Sequence, residues 1–223
     1  MKPIIFCDFD GTVTNTDNII SIMKRFAPPE WEALKDGVLQ QKISISSGVG
    51  DMFSLLDSGL KDDIIQYVRK TAGIRPGFFE FVEYTKQANI PLYIVSGGMD
   101  FFIAPLLNDI LPIESVYCNH AFFDKEKIYI EWPHVCDDQC TNDCGCCKPS
   151  IMREIAGEGE FKFVIGDSVT DFEAAKQADF VIARDILLEK CVREGIPHQG
   201  FETFFDVIDI LKQQEVLKHE QSY

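Results

Sequence analysis

The sequence predicts an α/β protein: a parallel sheet covered by helices on both faces, with a small helical insert after the first strand. Three observations lead there. Short runs of β-branched and aromatic residues alternate with longer helix-like stretches, and the runs carry apolar residues on both faces, as strands buried on both sides do. More than eighty residues separate the first two runs, far beyond the length of one crossover helix. Three of the runs are followed at once by Asp, Ser or Gly, which puts polar groups at the carboxyl edge, where open parallel sheets hold their ligands. A sheet of this kind is Rossmann-like.

Taken from the N-terminus, Ile4-Ile5-Phe6-Cys7 is the first strand. Residues 15–75 then read as helices: Asp17 to Ala27, stopped by Pro28-Pro29; Glu30 to Gln41; a stretch around Val49 to Leu56; and Asp62 to Thr71, ended by the breakers Gly73, Pro76 and Gly77. This insert holds eight basic and eight acidic residues, so the rest of the chain carries the whole net charge of −15. The asymmetry divides the chain into a core, residues 1–14 and 76–223, and an insert, residues 15–75. In the core follow a helix from Phe78 to Gln87, a strand at Leu92-Tyr93-Ile94-Val95, and an alternating stretch at 121–132 that reads as a hairpin. Helices at Ile151 to Ala156 and Thr170 to Gln177 then frame strands at Phe161 to Ile165 and Phe180 to Ile182, and residues from about Glu215 read as a solvated tail.

Composition narrows the function. With 36 acidic against 21 basic residues and no basic stripe, the chain repels phosphodiester backbones and anionic leaflets, so no nucleic-acid or membrane partner is expected. The most apolar stretch, Pro91 to Ile113, contains Asp100, Asp109 and three prolines, which disqualifies it as a membrane span. Met1-Lys2-Pro3 leads straight into a strand with no cleavable apolar leader, which predicts a cytoplasmic protein. In that setting the eight cysteines are expected as reduced thiols or metal ligands rather than disulfides.

The polar strand ends carry the chemistry. They are Asp8-Phe9-Asp10-Gly11-Thr12, Ser96-Gly97-Gly98, and Gly166-Asp167-Ser168-Val169-Thr170-Asp171. Any one of these segments could be a turn and no more. Together they converge four aspartates on one edge, an arrangement that is costly unless a cation neutralises it, and hard oxygen ligands point to Mg²⁺.

Asp8-Phe9-Asp10-Gly11-Thr12 resembles the DxDxT nucleophile motif of the haloacid dehalogenase-like hydrolase superfamily. Ser96, Lys148 in Cys147-Lys148-Pro149, and Gly166-Asp167 with Asp171 resemble its second, third and fourth motifs, in the family's order. The insert after the first motif and Val95-Ser96-Gly97-Gly98-Met99-Asp100-Phe101-Phe102 are similar to the phosphoserine-phosphatase-like branch, in which such an insert is a helical cap. The resemblance implies a phosphatase in which Asp8 attacks phosphorus to form an aspartyl-phosphate and Asp10 is the acid and base. It implies that Lys148, Ser96 and the Gly97 amide bind the phosphate, and that Asp8, the Asp10 carbonyl and Asp167 hold Mg²⁺. Asp171 then orients Lys148 or a metal-bound water. Thr12 and Thr170 stay outside this set as helix caps.

The implied substrate is a small phosphorylated metabolite. The cysteine-rich run before Lys148 and the sequence GDSVTD resemble the methionine-salvage phosphatases of the branch, which points to a methylthio-pentenyl phosphate. Ser168 and Thr170 depart from the GDGxND usual in phosphoserine phosphatases, and phosphoserine, phosphoethanolamine and phosphocholine are the alternative substrates. A phosphate- or metal-sensing regulator on the same fold is the non-enzymatic alternative. Ile19, Met23, Phe26 and Phe53 are apolar residues of the insert that either meet a thioether tail or simply pack its interior. Oligomeric state is not legible.

Cys136, Cys140, Cys144, Cys146 and Cys147 crowd the twelve residues before Lys148. Their spacing lacks the C-x₂-C arms of most structural zinc sites, although four thiolates, or three with His134, could enclose a tetrahedral ion. The favoured reading is a loop ordered by reduced thiols that supports Lys148, with a redox disulfide behind it. Cys7, Cys118 and Cys191 read as core residues.

Overall fold

The computed structural model describes residues 1–107, 110 and 115–220, the side chains of 215–220 excepted. Among the described residues seven strands form one sheet in the order β4-β3-β2-β1-β5-β6-β7. They are β1 Lys2–Cys7, β2 Leu92–Met99, β3 Val116–Phe123, β4 Ile128–Glu131, β5 Glu160–Gly166, β6 Phe180–Ala183 and β7 His198–Gly200. All neighbours run parallel except the edge pair β3 and β4, the predicted hairpin. Its turn is closed by the Asp124 carboxylate, which accepts from the Glu126 and Lys127 amides at 2.7 Å each.

The period-two geometry of a strand explains why the central runs are apolar on both faces. Ile5 and Cys7 of β1 join Ile94, Phe163 and Ile165 on one face, while Ile4 and Phe6 join Val95 and Val164 on the other. The first face is covered by α5 (Phe78–Gln87) and α10 (Phe204–Glu220), where the rings of Phe78 and Phe81 each lie 5.0 Å from that of Phe204. The second is covered by α7 (Lys148–Ile155) and α8 (Phe172–Ala175) through Ile151, Met152 and Ala174.

Between β1 and α5 lie α1 (Asn18–Phe26), α2 (Trp31–Leu39), α3 (Ile45–Ser54) and α4 (Lys61–Thr71). Asp17 caps α1 by accepting from the Ile20 amide at 3.0 Å, and Pro28-Pro29 follows its end. The third helix begins earlier than the residues around Val49 suggested, because Ser44 caps it through the Ser47 amide. Ile22, Met23, Phe53, Ile64 and Val68 of these helices are buried in the same apolar cluster as β1. The chain leaves and rejoins the sheet side by side: Thr14 and Ile74 form an isolated bridge, and the Arg75 amide donates to the Val13 carbonyl at 2.8 Å.

Several elements differ from the sequence reading. Strand β2 runs on past Val95 to Met99, with a register shift against β3 in between. The helix expected at Thr170 to Gln177 is a 3₁₀ turn at Val169–Asp171 followed by the short α8. Helices α6 (Asp100–Leu107) and α9 (Asp185–Glu194) and the strand β7 are additions. The backbone of α10 continues to Glu220 through the segment read as a tail, of which residues 221–223 lie outside the described residues. Asp109 and Ile113, used against a membrane span, also lie outside them; among the described residues no helix is long and apolar enough to cross a membrane.

Candidate active site

Strand β1 ends at Cys7, and the Asp8 amide continues its ladder by donating to the Ile165 carbonyl of β5 at 2.9 Å. That bond fixes Asp8 at the carboxyl edge, between the two central strands. The chain then turns back: the Thr12 and Thr14 amides both donate to the Phe9 carbonyl, at 3.3 and 3.0 Å. Gly11 makes the turn possible. Its φ of +86° is a left-handed conformation, and a Cβ there would lie 2.5 Å from Asp167 Oδ2.

Lys148, the first residue of α7, is buried between two carboxylates. Its Nζ donates to Asp8 Oδ1 and, at 2.5 Å, to Asp171 Oδ1. The other oxygen of Asp171 accepts from the Asp167 and Ser168 amides, at 3.2 and 3.0 Å, and from the Ser168 hydroxyl at 3.2 Å. Asp171 is thereby committed to holding Lys148 and the loop after β5. Asp167 accepts from the Thr12 hydroxyl at 2.9 Å. Ligand oxygens of Asp8, Asp167 and Asp171 all lie within 4.8 Å of one another.

Asp10 stands slightly apart. Its Oδ1 accepts from Asn18 Nδ2 at 2.6 Å and from the Asn18 amide at 3.2 Å, and its Oδ2 accepts from the Ser96 hydroxyl at 3.2 Å. The Gly98 amide donates to Ser96 Oγ at 2.9 Å and so fixes the hydroxyl. Asp10 is therefore aligned from two directions, by Ser96 within β2 and by the first residue of α1.

Burial dominates the electrostatics. It pushes Asp8 above the usual carboxylate range, the charge of Asp171 adds to the rise, and Lys148 opposes it. Burial, then the nearby charge of Asp17, raises Asp10 to about 7 against the opposing bonds from Asn18 and Ser96. Asp167 rises to about 6 for the same first cause, with Asp171 next. For Lys148, burial alone would lower the ammonium, but the carboxylates of Asp171 and Asp8 outweigh it and leave it above its ordinary value. Among the described residues the three clustered acids are bridged by one ammonium, that of Lys148, so their direct partners are short of positive charge.

The structure thus brings Asp8, Lys148, Asp167 and Asp171 together and sets Asp10 with Ser96 beside them. Gly97 lies on the same edge: its carbonyl accepts from Asn119 Nδ2 at 2.9 Å, and a Cβ on it would meet nothing within 4 Å. Three residues were missed. Thr12 stood in the first motif but was read as a cap. Asn18 follows a helix cap and gave no signal of its own. Arg75 is buried, and its guanidinium donates to the Thr12 and Gly11 carbonyls at 2.7 Å each and to the Thr14 carbonyl at 3.3 Å, clamping the loop that carries Asp10. The one legible signal for Arg75 was a lone cation at the end of a neutral insert.

Among the apolar candidates, Met23 and Phe53 are fully buried in the core, and Phe53 meets the ring of Phe101 edge-on at 6.4 Å; Ile19 and Phe26 are partly buried. The cysteines divide in a way the spacing did not show. Cys136, Cys140, Cys144 and Cys147 point together, whereas Cys146 turns to the Tyr117 carbonyl on the second face of the sheet. His134 packs its ring on Tyr117 and lies outside the sulfur group.

A buried carboxylate at the end of the central strand, a buried lysine and a second acidic loop define a class, and residues 5–176 match the model of the haloacid dehalogenase-like hydrolase family. The chain belongs to that family. It is 58% identical over 214 residues to the 2-hydroxy-3-keto-5-methylthiopentenyl-1-phosphate phosphatase of Geobacillus kaustophilus (strain HTA426), covering 96% of this chain and 97% of that one. The protein of the same description from Geobacillus thermodenitrificans (strain NG80-2) is 56% identical with the same coverage. Among solved structures, phosphoserine phosphatase from T. onnurineus superposes with a TM-score of 0.69 at 19% identity, over 95% of each chain, and shares the fold.

Proposed function

We propose that this chain is a Mg²⁺-dependent phosphomonoesterase that removes phosphate from 2-hydroxy-3-keto-5-methylthiopentenyl-1-phosphate through an aspartyl-phosphate on Asp8. The observation that carries the mechanism is the buried Asp8–Lys148–Asp171 array beside Asp167 and Asp10. The substrate rests on the near-full-length likeness to phosphatases of that description.

A divalent cation fits the donor set. The oxygens are hard, the acids outnumber the buried cation, and burial has already raised Asp8 and Asp167, which a cation would reverse. Asp8, Asp167 and the Asp10 carbonyl would hold it, since both oxygens of Asp171 are engaged elsewhere. When bound, Mg²⁺ offsets the repulsion between the Asp8 carboxylate and the phosphate and stabilises charge on the phosphoryl oxygens.

The chain's own residues do the rest. An Asp8 oxygen forms a bond to phosphorus while the ester P–O bond breaks, and Asp10 gives its proton to the departing oxygen. With a value raised to about 7, Asp10 still holds that proton in much of the population at neutral pH. In the second half Asp10 takes a proton from water, the water oxygen bonds to phosphorus, and the Asp8–phosphorus bond breaks to free phosphate. Lys148 keeps Asp8 placed and supplies fixed positive charge, while Ser96 and Asn18 hold the Asp10 carboxyl in line. With substrate bound, the single Ser96 hydroxyl proton would turn from Asp10 to a phosphoryl oxygen, and the Gly97 amide completes the phosphate cradle.

The same reading divides the chain into a catalytic core, residues 1–14 and 76–223, and a cap, residues 15–75. Its support is the adjacent crossing at Thr14 and Ile74. A cytoplasmic setting agrees with eight unpaired thiols, which persist where glutathione keeps them reduced. The deciding experiment compares kcat/KM for the enol-phosphate with that for phosphoserine, phosphoethanolamine and phosphocholine in Mg²⁺. A clear preference for the enol-phosphate is expected. Preference for a zwitterion defeats the substrate assignment, and no turnover of any of them defeats the enzyme.

A further inference from the structure

Among the described residues a second group of ligating atoms, outside the carboxylate site, lies on the loop between β4 and α7. Four sulfurs, from Cys136, Cys140, Cys144 and Cys147, lie within 4.8 Å of one another, and Cys140 Sγ and Cys144 Sγ are 3.9 Å apart. Zinc bound to four thiolates at about 2.3 Å in a tetrahedron places neighbouring sulfurs about 3.8 Å apart. The thiols are unpaired, so no disulfide accounts for their approach. The fifth cysteine of the run, Cys146, is excluded by the alternation of the chain around Gly145, whose φ of +77° folds the loop against Trp132.

The surroundings resemble those of a metal-ligating shell. The Cys144 amide donates to Cys136 Sγ at 3.5 Å, and the Ser150 hydroxyl donates to Cys147 Sγ at 2.9 Å. Ser150 is itself oriented, accepting from the Asp137 amide at 3.0 Å and from Arg153 Nη2 at 3.3 Å. Arg153 also grips the Asp137 carboxylate through Nε and Nη2, at 2.7 and 2.6 Å, which brings a cation to the edge of the sulfur group. Donors aimed at sulfur and a neighbouring positive charge are what an anionic tetrathiolate centre requires from its outer shell.

We propose that Cys136, Cys140, Cys144 and Cys147 form a structural zinc site whose last ligand immediately precedes Lys148. This departs from the sequence reading, which favoured reduced thiols and counted Cys146 and His134 among the possible ligands. Zn²⁺ would bond to four sulfurs as four thiol protons leave, giving a closed centre with no open position, suited to holding a loop rather than to chemistry. The loop spans two parts of the molecule. At one end Asp143 accepts from the Ser46 hydroxyl of α3 at 2.5 Å, and at the other Cys147 is the residue from which the helix beginning with Lys148 starts. The centre would therefore fix the phosphate-binding lysine relative to the insert.

The test uses the full chain expressed with zinc supplied and purified under reducing conditions without chelator. Elemental analysis by mass spectrometry should give about one zinc per chain, and Co²⁺ in its place should show thiolate charge-transfer absorption. Cys140→Ser and Cys144→Ser should lower zinc retention at least tenfold, while Cys146→Ser and Asp8→Asn retain it, the latter separating this site from the Mg²⁺ site. Should the serine variants fail to fold, alkylation mapped by peptide mass on the unaltered protein decides. Zinc should shield Cys136, Cys140, Cys144 and Cys147 together and leave the reactivity of Cys146 unchanged. Wild-type protein that holds no zinc after incubation with excess Zn²⁺, or a metal lost with Cys146 and kept without Cys144, overturns the proposal.

Discussion

Two groups of ligating side chains flank Lys148, and they are built in opposite ways. The carboxylate group gathers Asp8, Asp167 and Asp171 from segments far apart in sequence, on the rigid ends of β1 and β5. The sulfur group comes from a single stretch of twelve residues on a loop without regular structure. Yet the distant residues were the easier to bring together on paper. A parallel sheet has a rule for which end faces the ligand, so residues far apart in the chain can be assigned to one place. A loop has none: whether Cys146 or Cys144 joins the sulfurs depends on left-handed residues at Asp143 and Gly145, which no periodicity announces.

The comparison breaks most sharply at Asp8. An Asp8→Asn variant should lose roughly 10⁴-fold or more in kcat/KM, because an amide cannot attack phosphorus, while its thermal unfolding stays cooperative. Turnover near the wild-type rate in folded Asp8→Asn protein would remove the carboxylate group from the chemistry altogether. Asp10→Asn should cost about 10² to 10⁴-fold, the range of a lost general acid, since the backbone carbonyl remains in place.

Next in size is Arg75→Met, which keeps the length of the side chain and strips donors from the Gly11, Thr12 and Thr14 carbonyls. A loss of about 3 kcal/mol in unfolding free energy is expected from stranded buried carbonyls, measurable by denaturant titration. An unchanged midpoint would mean that the loop holds its shape without the clamp. Thr12→Val should be milder, about tenfold in kcat/KM from loss of one hydrogen bond to a charged partner.

The smallest effect concerns pH. Carboxyls whose folded values are raised bind protons more tightly in the folded chain than in the unfolded one. Stability they contribute is therefore complete below the unfolded value near 4 and declines as pH rises through about 6 for Asp167 and about 7 for Asp10. Metal-free protein should melt on the order of a few degrees lower at pH 7.5 than at pH 5.5. Mg²⁺ should narrow the gap by favouring ionised Asp8 and Asp167. A melting temperature that climbs over that interval without metal would show that these acids are solvated in solution.

What was legible follows the same division. The strands Ile4–Cys7, Leu92–Val95 and Phe161–Ile165 announced themselves through largely apolar runs, and Asp8, Ser96 and Gly166-Asp167 just beyond them marked the candidate site. His198–Gly200 could not: His, Gln and Gly have little strand preference, and the segment is extended because it pairs with the edge of β6. Thr12 and Arg75 escaped for another reason. Each looks ordinary beside its neighbours in sequence, and its partner lies 155 or more than sixty residues away. Asn18, eight residues from Asp10, shows that nearness is no help when the partner is chosen by the packing of a helix.

Asn18 opens α1 while holding Asp10, so both N–H donors to one carboxylate oxygen belong to the first residue of a single helix. Any displacement of α1 would withdraw the two together. The aim of Asp10 is thus set jointly by the core strand that carries Ser96 and by the seat of the insert's first helix.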